Sequence, residues 1–364
     1  MIAPERDAIS LVATTPTMSP DLIRQVPDGV PAKLLSYQEA IREALREEMR
    51  RDPSVFLLGL DIGKHGGAFG VTRTLWEEFG PERVRDTPVS ENTIAGAATG
   101  AALVGMRPVA EIMFVDFAGL AMDQIATLAA KLRYMTGGQC KVPMVIRMAQ
   151  GGGGGKSTAA QHSQSLEVWF AHIPGLKVVL PSTPYDAKGL MKAAIRDDNP
   201  VIFLEQKALS AFKGLVPDED YVLPLSRCDV KRRGTDVTVV ASGYMVWHAM
   251  VAAETLASEG ISVEVVDVRT VAPLDEETIG ASARKTGRVV VVAEACRDYG
   301  PANEWGMVVM ERAWDQLKAP VVRVTGLHTP IPLANSIEAS VWPKSDSIIA
   351  AIRQVVGRLP RGGH

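Results

Sequence analysis

The sequence predicts an α/β protein of two domains, each a mostly parallel sheet covered by helices. Short apolar runs alternate with segments of helical periodicity, first in the N-terminal half of the 364-residue chain and again in the C-terminal half. A charged, proline-containing stretch separates the two series. With 46% apolar and 22% charged residues, the chain can fill a hydrophobic core in each domain.

The first domain is expected over residues 34–210. Residues 1–33 are proline-rich and lack periodicity, so they predict an extended or partly disordered arm. Order begins at Ser36, where Ser36 and Glu39 have the spacing of a capping box ahead of an apolar helical pattern. The predicted strands are 55–60, 108–114, 142–148, 176–180 and 201–204, and helical patterns cover 116–135, 163–172 and 185–197.

A linker is predicted over residues 211–233, because prolines, acidic residues and the basic run that begins at Lys231 interrupt the alternation. The second domain, 234–358, is expected to contain four strands and four helices. Its predicted strands are 236–242, 261–268, 288–294 and 321–325, and its predicted helices are 244–259, 275–285, 301–317 and 345–356.

Charge and composition exclude several classes of function. The net charge of −3 and the pI near 6.1 provide no basic surface typical of nucleic-acid binding. No apolar run is long enough to span a membrane, and the N-terminus does not resemble a secretory signal. Cys140, Cys228 and Cys296 are too far apart in sequence to indicate a zinc site or a disulfide framework, so a cytoplasmic protein is expected.

Glu91 is the only charged residue between Asp86 and Arg107, in a segment of otherwise small and apolar residues. Such a segment is typical of a buried helix, for which Ser90 is a suitable N-cap. A carboxylate on the first turn is either bonded to nearby backbone N–H groups or held beside a specific partner. Because a buried, unpaired carboxylate is costly, Glu91 is a candidate for chemistry.

A run of glycines, Gly151–Gly155, precedes Lys156 and resembles a phosphate-binding loop. Gln150 stands where the strict pattern requires a glycine, and five consecutive glycines are more typical of a mobile active-site or interface loop. A non-catalytic nucleotide-binding module that uses Lys156 stays an alternative. His162, just downstream, is either structural or catalytic.

Two further patterns indicate contacts. Phe117 lies just beyond the carboxyl end of a predicted strand, where an aromatic ring is either a core residue or a flat face for a heterocycle. Gly96 and Gly100 lie on one helix face, on which another helix can approach closely, as at a subunit interface.

Several stretches together resemble the β subunits of thiamine diphosphate-dependent 2-oxoacid dehydrogenases, the decarboxylating component of pyruvate, branched-chain and acetoin dehydrogenase complexes. The likeness runs from about residue 34 to 357. The matching segments are 83–91, 107–117, 123–125, 130–135, 160–164, 174–190, 268–275 and 285–288. The resemblance implies a transketolase-like pyrimidine-binding domain followed by a transketolase C-terminal domain.

The resemblance also implies roles for individual residues. Glu91 matches the glutamate that hydrogen-bonds the N1′ atom of the cofactor's aminopyrimidine, and Phe117 matches the aromatic that packs on that ring. His162 matches a histidine near the substrate and the incoming lipoyl group. Some family members bind potassium through backbone carbonyls, and the matching residues are Met144, Ala194, Asp197 and Asn199.

The chain lacks the Gly-Asp-Gly…Asn motif that binds diphosphate and Mg²⁺, which the family's α subunit supplies. The resemblance therefore implies an α2β2 heterotetramer that shares thiamine diphosphate, holds Mg²⁺ on the α subunit, and serves a lipoylated acyltransferase. A subunit of a split transketolase that acts on sugar phosphates is the alternative. The sequence departs from the family at Leu60, where most relatives carry an acid, and in the glycine-rich run.

Overall fold

The computed structural model describes residues 22–23, 25–152 and 158–357, and in it the first domain contains eight of the strands that we number β1 to β14. These strands are β1 Ala32–Ser36, β2 Val55–Gly59, β3 Val84–Asp86, β4 Arg107–Phe114, β5 Val145–Gln150, β6 Lys177–Val179, β7 Val201–Gln206 and β8 Lys213–Pro217. The helices are α1 Tyr37–Arg51, α2 Leu75–Phe79, α3 Glu91–Leu103, α4 Ala130–Met135, α5 Glu167–Ala171 and α6 Pro184–Arg196. The five strands predicted for this domain are all confirmed, with small shifts at their ends.

The second domain begins with a strand that the predicted linker contains. Its strands are β9 Asp229–Arg232, β10 Val237–Ala241, β11 Val263–Asp267, β12 Thr270–Ala272, β13 Val289–Cys296 and β14 Val322–Gly326. Its helices are α7 Tyr244–Ala257, α8 Glu276–Thr286, α9 Pro301–Ala313, α10 Asn335–Glu338 and α11 Ser345–Val355. No helix in the described part of the chain is both long and apolar enough to cross a membrane.

The large sheet has seven strands in the order β12-β6-β7-β5-β4-β2-β3, and all its pairs are parallel except β12 with β6. Two apolar clusters cover it. One includes side chains of α1 and α6, and the other includes side chains of α3 and of the helical segment after β4. A parallel sheet covered on both faces is the predicted α/β architecture, which is confirmed.

The second sheet has the order β14-β13-β10-β11-β9, with only β9 antiparallel to its neighbour. The prediction of four strands is wrong for this sheet, because β9 adds a fifth strand at its edge. β12 leaves the second domain to become the edge strand of the large sheet. Short strands of this kind are defined by their partner and carry almost no periodicity of their own.

The prediction of one continuous helix over residues 116–135 needs a correction. The segment is a 3₁₀ helix at Val115–Ala121, a π-helix at Asp123–Ala129 and then α4. The helix predicted over 163–172 is shorter than expected and covers only Glu167–Ala171, which is α5. The capping box at Ser36 and Glu39 is confirmed, with the Ser36 hydroxyl accepting from the Glu39 N–H at 3.3 Å.

The end of the predicted arm lies against the folded protein, since Ile23 and Val26 are buried. β1 pairs antiparallel with β8, so the segment that we assigned to the linker also contributes a strand to the first domain. Residues 1–21 of the arm lie outside the described part of the chain.

A buried charged cluster joins the two domains around Asp186, at the start of α6. Lys231 donates to the Asp186 carboxylate at 2.5 Å, and Arg269 donates to it at 3.2 Å. Burial opposes ionisation of Asp186, but Lys231 and Arg269 outweigh that effect and lower the pKa of its carboxyl. The basic run of the predicted linker therefore begins with a lysine whose fully buried side chain connects the domains.

Candidate functional site at the carboxyl edge of the large sheet

The candidate residues follow neighbouring strands of one parallel sheet. Glu91 comes after β3, Phe117 after β4, and His162 after β5. The strands β3, β2, β4 and β5 run parallel in that spatial order, so their carboxyl ends share one edge. This edge is where open α/β sheets bind ligands.

Glu91 is the first residue of α3 and is half-buried. In the described residues, its carboxylate has no hydrogen-bond or ion-pair partner. Ser90 is the N-cap residue, as predicted, but its hydroxyl bonds the Thr93 hydroxyl at 2.8 Å and makes no capping bond to the backbone. The interpretation of Glu91 as an acid bonded to its own helix terminus is therefore wrong, and its oxygens are open to a ligand.

The helix that Glu91 begins is buried on one face only, which corrects the prediction of a fully buried segment. Ile94 and Ala98 lie in the core, whereas Ala97 and Gly100 are exposed. Gly96 faces the side chain of Gln124. The surface at Gly100 is open, because a methyl group added to its Cα atom would have no neighbouring atom within 4 Å.

Phe117 and His162 form an aromatic cluster with Phe114, the last residue of β4. The His162 ring meets the Phe114 ring edge-on at a centroid distance of 4.8 Å and the Phe117 ring at 5.2 Å. Phe117 and His162 are both half-buried, so each keeps part of its ring accessible. The structure thus brings together two of the three predicted site residues in direct contact.

The segment that carries His162 is tied down at both ends. The Gly151 N–H donates to the Gln164 carbonyl at 2.8 Å, which closes the loop. Gln164 in turn donates from its side chain to Asp116 at 2.9 Å, beside Phe117. Residues 153–157, which include Lys156, lie outside the described part of the chain.

The second domain reaches this loop through Glu294, near the end of β13. The Gly152 N–H donates to the Glu294 carboxylate at 2.7 Å, and the Gln206 amide donates to its other oxygen. Burial raises the pKa of Glu294 to about 8, while the Gly152 N–H favours the charged form. A Cβ atom at Gly152 would collide with the Trp342 ring, so the first glycines of the run are required by close packing between domains.

Sequence reasoning missed a buried triad of charges in the middle of the large sheet. Arg147 donates to Glu111 at 2.5 Å and to both oxygens of Glu205, at 2.7 and 3.0 Å. Burial raises the pKa of Glu111, and Arg147 partly offsets that effect. A charged residue inside each otherwise apolar strand was the available signal. Leu60, the residue at which a departure from the family is predicted, is half-buried just after β2, and Asp61 is exposed.

The four residues of the predicted potassium site lie at the opposite, amino edge of the sheet. Three of their carbonyls already accept hydrogen bonds, Met144 from the Val201 N–H at 2.9 Å and Asp197 from Arg107 at 3.0 Å. Ala194 accepts from the Asp197 N–H at 3.3 Å, and Asn199 lies two residues beyond Asp197. Each carbonyl oxygen retains a second lone pair.

Comparison with known families assigns both domains to the transketolase type. Residues 33–212 match the transketolase pyrimidine-binding domain, and residues 226–348 match the transketolase C-terminal domain. A solved split-gene transketolase, described as an inactive β4 tetramer, superposes with a TM-score of 0.71 over 90% of this chain and 99% of its own. At 24% sequence identity this likeness shows the fold alone.

Curated relatives identify the family within the transketolase fold. The chain is 48% identical to the β subunit of 2-oxoisovalerate dehydrogenase from Bacillus subtilis, over 88% of this chain and 98% of that protein. It is 47% identical to the β subunit of acetoin:2,6-dichlorophenolindophenol oxidoreductase from Cupriavidus necator, over 89% and 98%. It is 43% identical to a mitochondrial pyruvate dehydrogenase β subunit from Oryza sativa subsp. japonica, over 90% and 88%. The chain belongs to the family of β subunits of 2-oxoacid and acetoin dehydrogenases.

Proposed function

We propose that this chain is the β subunit of a thiamine diphosphate-dependent enzyme that decarboxylates a 2-oxoacid or cleaves acetoin and passes the acyl group to a lipoylated acyltransferase. The observation that carries the proposal is the unpaired, half-buried carboxylate of Glu91 on the same sheet edge as the Phe117–His162 pair. The 43–48% identity to oxidoreductase β subunits supports this proposal over a split transketolase, which is supported only by the likeness of fold.

The residues fit the pyrimidine part of the cofactor. Glu91 offers a carboxylate that can hold a proton against a ring nitrogen, and Phe117 offers an aromatic face. When bound, thiamine diphosphate supplies the electron sink for cleavage of the bond beside the substrate carbonyl. His162, packed against Phe117, can donate a proton or stabilise negative charge at the substrate or the lipoyl group.

This chain would supply only part of the cofactor site. The sequence lacks the diphosphate-binding motif, so an α subunit would hold the diphosphate and Mg²⁺ in an α2β2 assembly. The exposed face at Gly100 is open to a close helix contact at such an interface. The three cysteines are free thiols, which suits the cytoplasm.

A potassium ion at the carbonyls of Met144, Ala194, Asp197 and Asn199 is part of the same proposal. Hard monovalent cations suit carbonyl oxygens, and each of these oxygens has a lone pair to give. The site lies at the sheet's amino edge, so the ion would act on stability and not on the reacting atoms.

The test is Glu91→Gln, in a chain assembled with its α subunit and thiamine diphosphate. We expect 2-oxoacid- or acetoin-dependent reduction of an electron-accepting dye to fall by about 10²–10⁴-fold, because the proton on the carboxylate is lost. The free energy of unfolding should change by less than about 0.5 kcal/mol, since no bond to the carboxylate is removed.

Glu82→Gln is the matched control, because Glu82 has an exposed side chain whose ion pair, among the described residues, is with Arg85. Near-normal turnover of Glu91→Gln in an intact assembly would contradict the proposed role. Activity on sugar phosphates, with none on 2-oxoacids or acetoin, would select the split transketolase instead.

A further inference from the structure

Lys207 is the first residue after β7, the strand that pairs with β5. Its position at the carboxyl edge of the sheet puts it beside the loop that carries His162. The residue is only 7% exposed. No function proposed above uses this lysine, so its buried ammonium requires an explanation.

The ammonium group of Lys207 is bonded to the His162 loop. It donates to the backbone carbonyl of His162 and to the hydroxyl of Thr158, and it lies 3.3 Å from the Ser163 hydroxyl. Thr158 also donates to the His162 carbonyl at 2.8 Å. These three acceptors match the three protons of an ammonium group, and all belong to the short segment 158–163.

The same ammonium lies over the ring of Phe114, 5.5 Å from its centroid. Phe114 is the ring that meets His162 edge-on. Lys207 therefore contacts both the backbone of His162 and the aromatic wall against which the imidazole packs.

Other buried lysines of the chain are bound differently. Lys188 pairs with Glu43 at 2.9 Å, and Lys231 pairs with Asp186 at 2.5 Å. Among the described residues no carboxylate forms an ion pair with Lys207. Burial lowers the pKa of Lys207, and Asp116 and Glu294 oppose that effect through space. The hydrogen bonds of the Lys207 ammonium therefore hold the His162 loop and do not form an ion pair with a carboxylate.

We propose that Lys207 is the positioning residue for His162: its ammonium holds the His162 carbonyl and the Phe114 ring, and so fixes where the imidazole points. The catalytic consequence rests on the proposed function, whereas the geometric claim does not. A lysine suits this task because one ammonium can bond a carbonyl and two hydroxyls at once and still lie against a ring.

The test compares Lys207→Met with Lys188→Met in the assembled enzyme, using histidines labelled with ¹³C in the ring. The chain has six histidines, so the His162 signal is assigned by its disappearance in His162→Gln. We expect Lys207→Met to move this signal towards that of a solvent-exposed histidine, because the imidazole leaves the Phe114 and Phe117 rings. Lys188→Met removes another buried ammonium, one that pairs with Glu43 on α1, and should leave the signal in place.

Activity gives the second readout. With His162 displaced, kcat should fall by about 10²-fold in Lys207→Met, as expected for a misplaced catalytic group. If Lys207→Met does not assemble, Thr158→Val replaces it. This variant removes only the hydroxyl that accepts from Lys207 and donates to the His162 carbonyl. It should move the signal in the same direction by a smaller amount.

An unchanged His162 signal in the assembled variant overturns the proposal, whatever the activity. A displaced signal in Lys207→Met, together with full activity in both Lys207→Met and His162→Gln, supports the positioning by Lys207 and instead contradicts the catalytic use of His162. The two failures are therefore distinguishable.

Discussion

The acidic side chains inside the large sheet and the one at its carboxyl edge have opposite surroundings. Glu111 and Glu205 are buried inside the sheet, and Arg147 bonds both of them. Glu91, at the rim of the same sheet, is half-buried and has no partner in the described chain. Charges that are satisfied within the chain serve the fold, whereas a charge left open at a strand edge is available to a ligand.

The largest effect on stability is expected from Arg147→Met, which leaves Glu111 and Glu205 buried without their partner. The free energy of unfolding should fall by about 3–5 kcal/mol, because the two carboxylates lose the compensation for their desolvation. Urea unfolding of the purified chain measures it.

Arg50→Met is the matched control, since Arg50 pairs with Glu78 at an exposed position and such pairs contribute about 1 kcal/mol or less. Equal losses in Arg147→Met and Arg50→Met would remove the distinction between the buried triad and surface charges.

A buried titratable group in the second domain extends the comparison to a site where burial outweighs a nearby carboxylate, that of Asp346. His248, on α7, bonds Ser345 at 2.9 Å, and burial together with Lys344 lowers its pKa from 6.5 to about 4. The folded state then binds fewer protons than the unfolded state in this interval, so stability falls as the pH is lowered. Between pH 7 and pH 5 the loss from this residue should be about 2 kcal/mol.

His248→Gln removes that contribution, so its free energy of unfolding should depend less on pH over this interval. The exposed His328, replaced in the same way, is the control, because its side chain is 65% accessible. Identical pH profiles of His248→Gln and the parent chain would show that this histidine is not held neutral.

The smallest expected effect on stability concerns two N-cap serines. The Ser36 side chain caps α1, whereas the Ser90 side chain makes no capping bond to α3. Ser36→Ala should cost about 1 kcal/mol, because it removes the capping bond to Glu39. Ser90→Ala should cost less than about 0.5 kcal/mol, because the Ser90 side chain makes no capping bond to the helix backbone. Thermal unfolding of both variants checks the difference. A larger loss for Ser90→Ala would mean that the start of α3 is capped after all.

Single residues supplied candidates for the site. Glu91 was a candidate because it is a lone charge in an apolar segment, and Phe117 because it follows a strand, but each also had a purely structural explanation. The family resemblance was needed to choose a role for both and for His162, since one histidine after a glycine run is ambiguous. Lys207 and Glu294 had no local signal, because their partners lie 45 and 142 positions away in the chain.

Local sequence patterns also fail to predict burial and short strands where these depend on contacts between distant segments. Lys231 belongs to a basic run that is typical of a solvated linker, yet it is buried against Asp186. β9 and β12 are too short to carry a periodic pattern, and each exists because a neighbouring strand bonds it.

By itself the sequence determined the alternation of strands and helices, the Ser36 cap and the strand ends at which function is expected, because these depend on neighbours a few positions apart. The tertiary structure decided which charges are paired, which face of α3 is open, and how Lys207 and Glu294 hold the loop of His162. Those outcomes depend on strand order and register, which bring together residues that the chain keeps far apart.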